Sequence, residues 1–498
     1  MRLEPPRVID RLHRALTDPA RRERAMVIAL AVYAALWALY GSIAKSSQGL
    51  HPDMTEMLAW SRDLAWGFDK HPPLGAALVW LWFQVFPVAE WSFYLLAMAM
   101  PALALWIVWR LSANYLDAEK RVVGVALLTF VPFFNFHALK YNANTVLLPL
   151  WAAATFVFLR SYRTRSAGWA ALAGVAAAAC MYGKYWSVVL LAGLAIAALI
   201  DRRRAAYFRS PAPWITVAVG LLALAPHLAW LQEHDFTPLT YAAYVHADKP
   251  LGDSLISALG YLAGSLGYAA APIAIVLLVA RPSRATILDM LWPAERERRL
   301  AAAAFWAPLL LPAMIAPLAR TDITSLWSMS ALTLLPVLLL SPPAVAIGEA
   351  CTRRILAAAA ALPLVALIAA PIIAVAVQYA GPPPASAQAR SLADEIERLW
   401  HARSPQPLRF VGGDIEIADA VAAYAADAPR VLPSEPPASG RAPSGFVLVC
   451  FASDSNCRVK MAAYSGPKEM IETEITRNFL RVPGRPQRYT ILIVAPRP

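Results

Sequence analysis

Between His51 and Leu74 the chain sets acids, bases and aromatic rings side by side: His51-Pro52-Asp53-Met54-Thr55-Glu56, then Trp60-Ser61-Arg62-Asp63, then Trp66-Gly67-Phe68-Asp69-Lys70-His71-Pro72-Pro73-Leu74. Asp53 follows a proline, and Glu56, Trp60 and Asp63 follow it at steps of three and four, which places all of them on one face of a helix. Carboxylates beside an indole suit a carbohydrate. The ring stacks on the apolar face of a pyranose, and a carboxylate orients and deprotonates an attacking hydroxyl, worth typically ~10² to 10⁴ in rate. A second reading stands beside this one: Asp53 caps the helix, and Trp60 and Trp66 are belt residues at a membrane interface.

The elements that must position these residues are membrane helices. Of 498 residues, 59% are hydrophobic and 16% charged, so a water-soluble globule is excluded for most of the chain. Twelve apolar blocks recur, at 25–44, 74–88, 90–112, 121–138, 144–160, 167–182, 185–200, 213–231, 255–280, 301–319, 323–341 and 355–379. Most are long enough to cross a hydrocarbon core of about 30 Å. The first block lacks a small-residue cleavage pattern and is followed by further blocks, so it is expected to stay as the first helix. The net charge of +12 is no nucleic-acid footprint, because the basic residues cluster at the ends of apolar blocks and no basic face interleaved with aromatics occurs.

Those clusters fix an expected topology. Arg2, Arg7, Arg11, Arg14, Arg21, Arg22 and Arg24 put the segment 1–24 in the cytoplasm and the first loop, 45–90, outside. If all twelve blocks crossed, the arginines at 160–165, 202–204 and 296–299 would face outward, so one block must not cross. Leu74 to Val88 is short and is fenced by His71-Pro72-Pro73 and Pro87, which makes it a juxtamembrane or partly inserted helix. Eleven crossings remain. The loops at 110–121, 160–166, 201–212, 281–300 and 342–354 then share the inner face. The outer face collects 45–90, His137 to Asn144, the turn around Lys184, Gln232 to Ser254, Arg320 to Thr324 and the C-terminal tail.

Past the transmembrane domain, 25–380, a proline-rich linker at 381–390 leads to a segment of ordinary polarity, 391–498. A helix over Ser391 to His401 and strands at Leu408 to Val411, Phe446 to Phe451 and Tyr489 to Val494 predict a small α/β domain outside the membrane. Of the four cysteines, Cys180 and Cys351 are isolated, whereas Cys450 and Cys457 can either close a loop in an oxidising compartment or stand as two thiols.

Several of these runs together resemble a known family. The stretch from Asp53 through Trp60-Ser61 and Trp66-Gly67-Phe68 to His71-Pro72-Pro73-Leu74 resembles the signature of glycosyltransferase family 39 and its aminoarabinose-transferase-like relatives, enzymes of the GT-C fold. Asn142-Ala143-Asn144-Thr145-Val146-Leu147-Leu148-Pro149-Leu150-Trp151 resembles that family's second outer-loop motif, Gly183-Lys184-Tyr185 its lysine turn, and Pro226-His227-Leu228-Ala229-Trp230 the motif ending a later span. The resemblance covers most of residues 25–340. It implies a membrane all-α bundle of GT-C type, here with about 11 transmembrane helices and the small C-terminal α/β domain in the periplasm. It also implies an enzyme of the bacterial inner membrane that moves a sugar from a polyprenyl-phosphate carrier to an envelope acceptor, with inversion at the anomeric carbon.

The family's first-loop acid, regarded as catalytic base or metal-site residue, matches Asp53, with Glu56 as a second candidate where the family often has Asp-Glu. The position commonly acidic in the second motif is Asn144 here, so two acids bridging a divalent metal are not carried over and a metal is optional. Trp60, Asn142, Asn144 and Tyr185 are the matching substrate-side residues. A lipid-phosphate leaving group asks for cations near the bilayer surface. Lys70, His71, Lys140, Lys184, His227 and Arg320 fall at outer helix ends, and Lys184 lies between two apolar blocks, where an ionisable group is costly. His227 reads equally as a satisfied interfacial histidine, and Arg320 as a partner of Asp322. The loop Gln232 to Ser254, with His234, Tyr241, Tyr244, His246 and Lys249, is either a lid or a solvated connector. The Leu-His-Pro-Asp loop and the Lys-His-Pro-Pro motif resemble enzymes that decorate lipopolysaccharide core or lipid A; other relatives glycosylate protein hydroxyls. The rival class is a transporter or flippase of lipid-linked precursors, which would place its ionisable groups near mid-membrane in repeated halves.

Overall fold

The computed structural model describes residues 7–432, 445–464 and 468–495; Arg2 and the rest of residues 1–6 in the expected cytoplasmic segment lie outside them. The helices, in chain order, are α1 (Arg7–Thr17), α2 (Arg22–Ala44), α3 (Pro52–Ser61), α4 (Leu74–Phe83), α5 (Glu90–Ser112), α6 (Ala118–Leu128), α7 (Ala143–Thr164), α8 (Ala167–Gly183), α9 (Ser187–Ile200), α10 (Arg204–Phe208), α11 (Ala212–Glu233) and α12 (Thr237–His246). There follow α13 (Leu251–Ala280), α14 (Arg284–Leu291), α15 (Arg296–Leu318), α16 (Leu335–Leu340), α17 (Glu349–Ala380), α18 (Pro384–Ala387), α19 (Ala389–His401), α20 (Ile415–Tyr424) and α21 (Ser455–Ala462).

Seven helices among the described residues, α2, α5, α7, α11, α13, α15 and α17, are long and apolar enough to cross a membrane. Large apolar side chains stand bare on them, Leu222 and Leu278 at 74% exposure and Ile368 at 77%, which only a lipid solvent tolerates in such number. The protein is a multi-pass membrane protein. Two of the blocks expected to cross are not continuous α-helices. Block 121–138 stops as a helix at Leu128, because Val131 precedes Pro132 and takes an extended conformation. The broken backbone is satisfied internally: Asn135 Nδ2 donates to the Thr129 carbonyl at 2.9 Å, and the Thr129 hydroxyl to that of Ala126 at 2.7 Å. Block 323–341 is a 3-10 helix over Ser325–Leu334 followed by α16. Blocks 167–182 and 185–200 become α8 and α9, of 17 and 14 residues. The ten residues of α4 reach about 15 Å, half of a hydrocarbon core.

The chain divides into two compact units. The first comprises Met1–Ala38, Ala65–Gly75 and Phe93–Val365. Within it α8 lies so close to α11 that a Cβ on Gly174 would stand 2.6 Å from the Thr216 carbonyl oxygen, so glycine is needed at that crossing. Four of the loops grouped by their basic residues meet at one end. Arg163 reaches Glu297 at 3.0 Å and Tyr115 at 3.2 Å, while Arg203 pairs with Asp201 at 3.0 Å and also with Glu297. Burial pushes the Asp201 carboxyl up, but the hydrogen bonds from Arg203 outweigh it and hold Asp201 below the usual carboxylate range.

The second unit comprises Leu39–Leu64, Ala76–Ser92 and Ala366–Pro498, and is therefore wider than the expected tail domain. Its strands are β1 (Phe410–Gly413), β2 (Arg430–Val431), β3 (Phe446–Phe451), β4 (Glu469–Ile475), β5 (Asn478–Phe479), β6 (Val482–Pro483) and β7 (Gln487–Val494). Five of them form one sheet in the order β2-β1-β3-β7-β4, with β1 parallel to β2 and β3, and β7 antiparallel to β3 and β4. Leu392, Ile396 and Trp400 of α19 and Ile417 and Val421 of α20 pack on Val447, Val449 and Ile491 of the sheet. Cys450 at the end of β3 and Cys457 in α21 are joined by a disulfide, with 5.9 Å between their Cα atoms. Strand β4 escapes the sequence reading because it is an edge strand whose glutamates face out, as such edges usually are.

Candidate functional site

Lys184 occupies the break between α8 and α9. Its backbone is extended (φ −168°, ψ 139°), and a Cβ on the preceding Gly183 would stand 2.8 Å from the Leu150 side chain and 3.1 Å from that of Leu147 on α7. The Lys184 Nζ donates to Asn144 Oδ1 at 2.7 Å and stands 5.3 Å from the centre of the Trp327 ring. Asn144 lies in the first turn of α7, whose N-cap is Asn142: the Asn142 Oδ1 accepts the Thr145 N–H at 3.1 Å. An amide at 144 orients the ammonium without neutralising it, as a carboxylate would. Trp327 is fixed in turn, its carbonyl accepting the indole N–H of Trp186 at 3.0 Å.

His227 is 1% exposed, and both its ring nitrogens are engaged. Nδ1 lies 2.5 Å from the Trp66 carbonyl oxygen and Nε2 3.0 Å from the Tyr185 hydroxyl. A carbonyl can only accept, so this network assigns the proton to Nδ1 and makes Nε2 the acceptor of the Tyr185 O–H. The ring is also stacked between Tyr185 and Trp230, at 5.6 and 5.9 Å. The expected place of His227 among the phosphate-binding cations does not fit this geometry; of its two readings, the satisfied buried histidine is the one built here. Gly67 completes the contact, since a Cβ there would lie inside the indole of Trp230.

The loop between α11 and α13 carries α12 and is tied down at two points. His246 Nδ1 meets Asp322 Oδ1 at 2.7 Å, and the Lys249 N–H donates to the Arg320 carbonyl at 2.9 Å. Asp322 thus pairs with His246, which corrects the Arg320–Asp322 reading; the Arg320 side chain is exposed, with no carboxylate partner among the described residues. His246 lies edge-on to Trp327 at 4.9 Å, so the loop reaches the ring that faces Lys184. Lys70 Nζ stands 5.9 Å from the Tyr241 ring, and the His71 carbonyl accepts the Phe68 N–H at 3.0 Å, closing the turn before α4.

Asp53, Glu56 and Trp60 belong to the second unit, on α3. His51 is the N-cap there, its Nδ1 accepting the Asp53 N–H at 3.2 Å, so Asp53 does not cap the helix. Glu56 is buried at 8% exposure and Asp53 and Trp60 are half-buried. The helix packs on α20, and Arg62 at its end donates to the Ala422 carbonyl at 2.5 Å. Tyr424 closes this seam: its hydroxyl accepts the Leu50 N–H at 2.7 Å and donates to Glu90 Oε1 at 2.7 Å. Arg390 reaches the same carboxylate at 3.1 Å. Among the described residues no group of three or more His, Cys, Asp or Glu side chains is gathered.

The structure brings Lys184 to Asn144 and Tyr185 to His227, residues singled out in three separate motifs, and adds Trp327, which sequence reading misses. That tryptophan opens an otherwise apolar block, and nothing local separates it from a belt residue.

Residues 70–230 match the family model described as dolichyl-phosphate-mannose-protein mannosyltransferase. Over 225 residues the chain is 28% identical to the lipopolysaccharide core galacturonosyltransferase RgtB of Rhizobium johnstonii; the match spans 44% of this chain and 44% of that protein. The fold is similar to that of ArnT from Cupriavidus metallidurans bound to undecaprenyl phosphate, with a TM-score of 0.57 over 95% of this chain and 99% of that one at 13% identity. Against apo ArnT the TM-score is 0.54 over 97% and 100% at 11% identity. The chain is thus similar to the GT-C glycosyltransferases of the family-39 and aminoarabinose-transferase type, in sequence over residues 70–230, about a third of its length, and in fold over nearly its whole length.

Proposed function

We propose that this protein is an inverting glycosyltransferase that moves a sugar from a polyprenyl-phosphate carrier to an envelope glycolipid, on the periplasmic face of a bacterial inner membrane. The observation that carries the reading is Lys184, held by the neutral Asn144 against Trp327 at a helix break. A lysine built in this way can receive the charge that develops on a departing lipid phosphate. Lys70, His71 and Arg320 supply further donors for that phosphate, and His227 positions Tyr185 and the Trp66 carbonyl rather than touching it. Asp53 activates the acceptor hydroxyl, with Glu56, Trp60, Asn142 and Tyr185 on the substrate side. No covalent intermediate is involved: the acceptor oxygen bonds to the anomeric carbon as the carrier phosphate leaves with the bonding pair, and the hydroxyl proton passes to Asp53.

The donor class is supported by the undecaprenyl phosphate named with ArnT, and the acceptor class by the lipopolysaccharide core named with RgtB. The disulfide between Cys450 and Cys457 supports a tail in an oxidising compartment. The test is transfer of radiolabelled sugar from polyprenyl-phosphate donors to envelope lipids by purified protein in liposomes, wild type beside Asp53→Asn. Transfer reduced ~10² to 10⁴ in the variant is expected. Full activity of the variant would remove Asp53 as base, and labelled carrier crossing the bilayer without any transfer would replace the enzyme by a flippase.

A further inference from the structure

The second unit carries its own piece of membrane span, the part of α17 from Ala366 to Ala380. Ile368, Ile372, Ala376 and Tyr379 are exposed there, and steps of three and four set them on one helix face. A tyrosine closing a bare apolar stripe marks the level where hydrocarbon gives way to headgroups. Gln378 stands at that level, six residues or about 9 Å beyond Ile372. It is 3% exposed, with the β5–β6 hairpin laid on it. Its Nε2 donates to the Val482 carbonyl at 3.1 Å and to the Arg477 carbonyl at 3.4 Å, one near the tip of the hairpin and one at its base. Both ends reach a single nitrogen, so the hairpin lies at the level of Gln378. Arg485, just past β6, lies over the end of the span: a Cβ on Gly381 would stand 3.3 Å from its Cδ.

The tip itself is unusual. Phe479 pairs with Val482, which leaves Leu480 and Arg481 as a two-residue turn, and both have positive φ, 49° and 65°. Asn-Gly takes such a turn without strain, whereas a branched apolar side chain and an arginine do not. The strained pair is turned outward: Leu480 is 73% exposed and Arg481 is exposed beside it. The glutamates of the preceding strand are already taken, Glu469 by Arg403 at 2.6 Å, Glu472 by Arg458 at 4.0 Å and Glu474 by Arg488 at 2.7 Å. From Val482 to Leu480 the chain spans at most ~7 Å, about the depth of one headgroup layer, so the tip stays within reach of that layer. We propose that the β5–β6 hairpin is a bilayer anchor of the C-terminal unit, with Leu480 in the boundary between headgroups and acyl chains beside α17, and Arg481 and Arg485 on phospholipid phosphates. An apolar tip with a flanking guanidinium fits that boundary, one part dry and the other wet. The anchor requires that α17 crosses the membrane and is independent of the proposed reaction.

Full-length protein in phospholipid nanodiscs tests this with a nitroxide attached through Asn478→Cys, an exposed position of β5 that leaves the tip intact, in a Cys351→Ser background. The same label through Val459→Cys, exposed on α21, is the water reference. Collisions with a neutral, water-soluble nickel chelate should be about tenfold rarer at 478 than at 459, the population gained by burying one leucine, while collisions with oxygen, which concentrates in lipid, are not reduced. Leu480→Ser should return the nickel collisions at 478 toward the value at 459. A label at 478 that the chelate reaches as freely as at 459, one that both reagents fail to reach, or a rate unchanged by Leu480→Ser overturns the proposal. Asn478 and Leu480 are both exposed, so each variant reads out on folded protein.

Discussion

The Lys184 ammonium donates a 2.7 Å hydrogen bond to the side-chain carbonyl of Asn144, 40 residues away in sequence. If this bond aims the ammonium at a lipid phosphate, Asn144→Leu should weaken retention of undecaprenyl phosphate ~10- to 100-fold, the worth of a hydrogen bond to a charged group. Asn144→Asp should weaken it as well, by neutralising the lysine. Native mass spectrometry of the purified protein measures both, and an Asp variant that binds like wild type contradicts the role given to Lys184.

Gly67 faces the ring of Trp230 with no room for a side chain. Gly67→Ala must displace either the indole or the turn that carries Trp66, Lys70 and His71, and should cost ~1–3 kcal/mol as an overpacking change. A lowered unfolding midpoint together with faster proteolysis at residues 62–73 is the expected result; a midpoint equal to wild type would show that the turn yields freely.

Tyr424→Phe removes one hydroxyl that serves both the Leu50 N–H and Glu90. Leaving the Leu50 N–H without its acceptor, while Glu90 keeps Arg390, should cost ~1–3 kcal/mol and loosen α3 from α20. Hydrogen exchange should quicken over residues 46–64. If exchange there is unchanged, the seam does not hold the helix that carries Asp53.

Asp201 is held below the ordinary carboxyl value, so its contribution to stability is complete above about pH 4 and is lost as pH falls through the lower folded value. Unfolding midpoints followed from about pH 6 to about pH 3 should fall less steeply in Asp201→Asn than in wild type. Parallel curves would assign the acid limb to other carboxylates.

One grouping of loops was legible in the chain from its arginines: Arg163, Arg203 and Glu297 meet from loops that the sequence groups together. Lys184 stood out for the same reason, an ion between apolar blocks. The span count was less legible. Hydropathy sums over residues whether or not the backbone between them is helical, so the break at Val131-Pro132 and the 3-10 run at Ser325–Leu334 read as continuous spans.

By itself, then, the sequence determined a multi-pass membrane protein, because transfer energies of side chains are local properties of composition. Only the tertiary structure decided what each polar group does. His227 is a buried link between Tyr185 and Trp66, Asp322 belongs to His246, and the helix of Asp53 is built together with the C-terminal sheet unit. Hydrogen bonds have a reach of about 3 Å and a fixed direction, and no spacing in sequence specifies which partners, 40 to 374 residues apart, packing will bring within it.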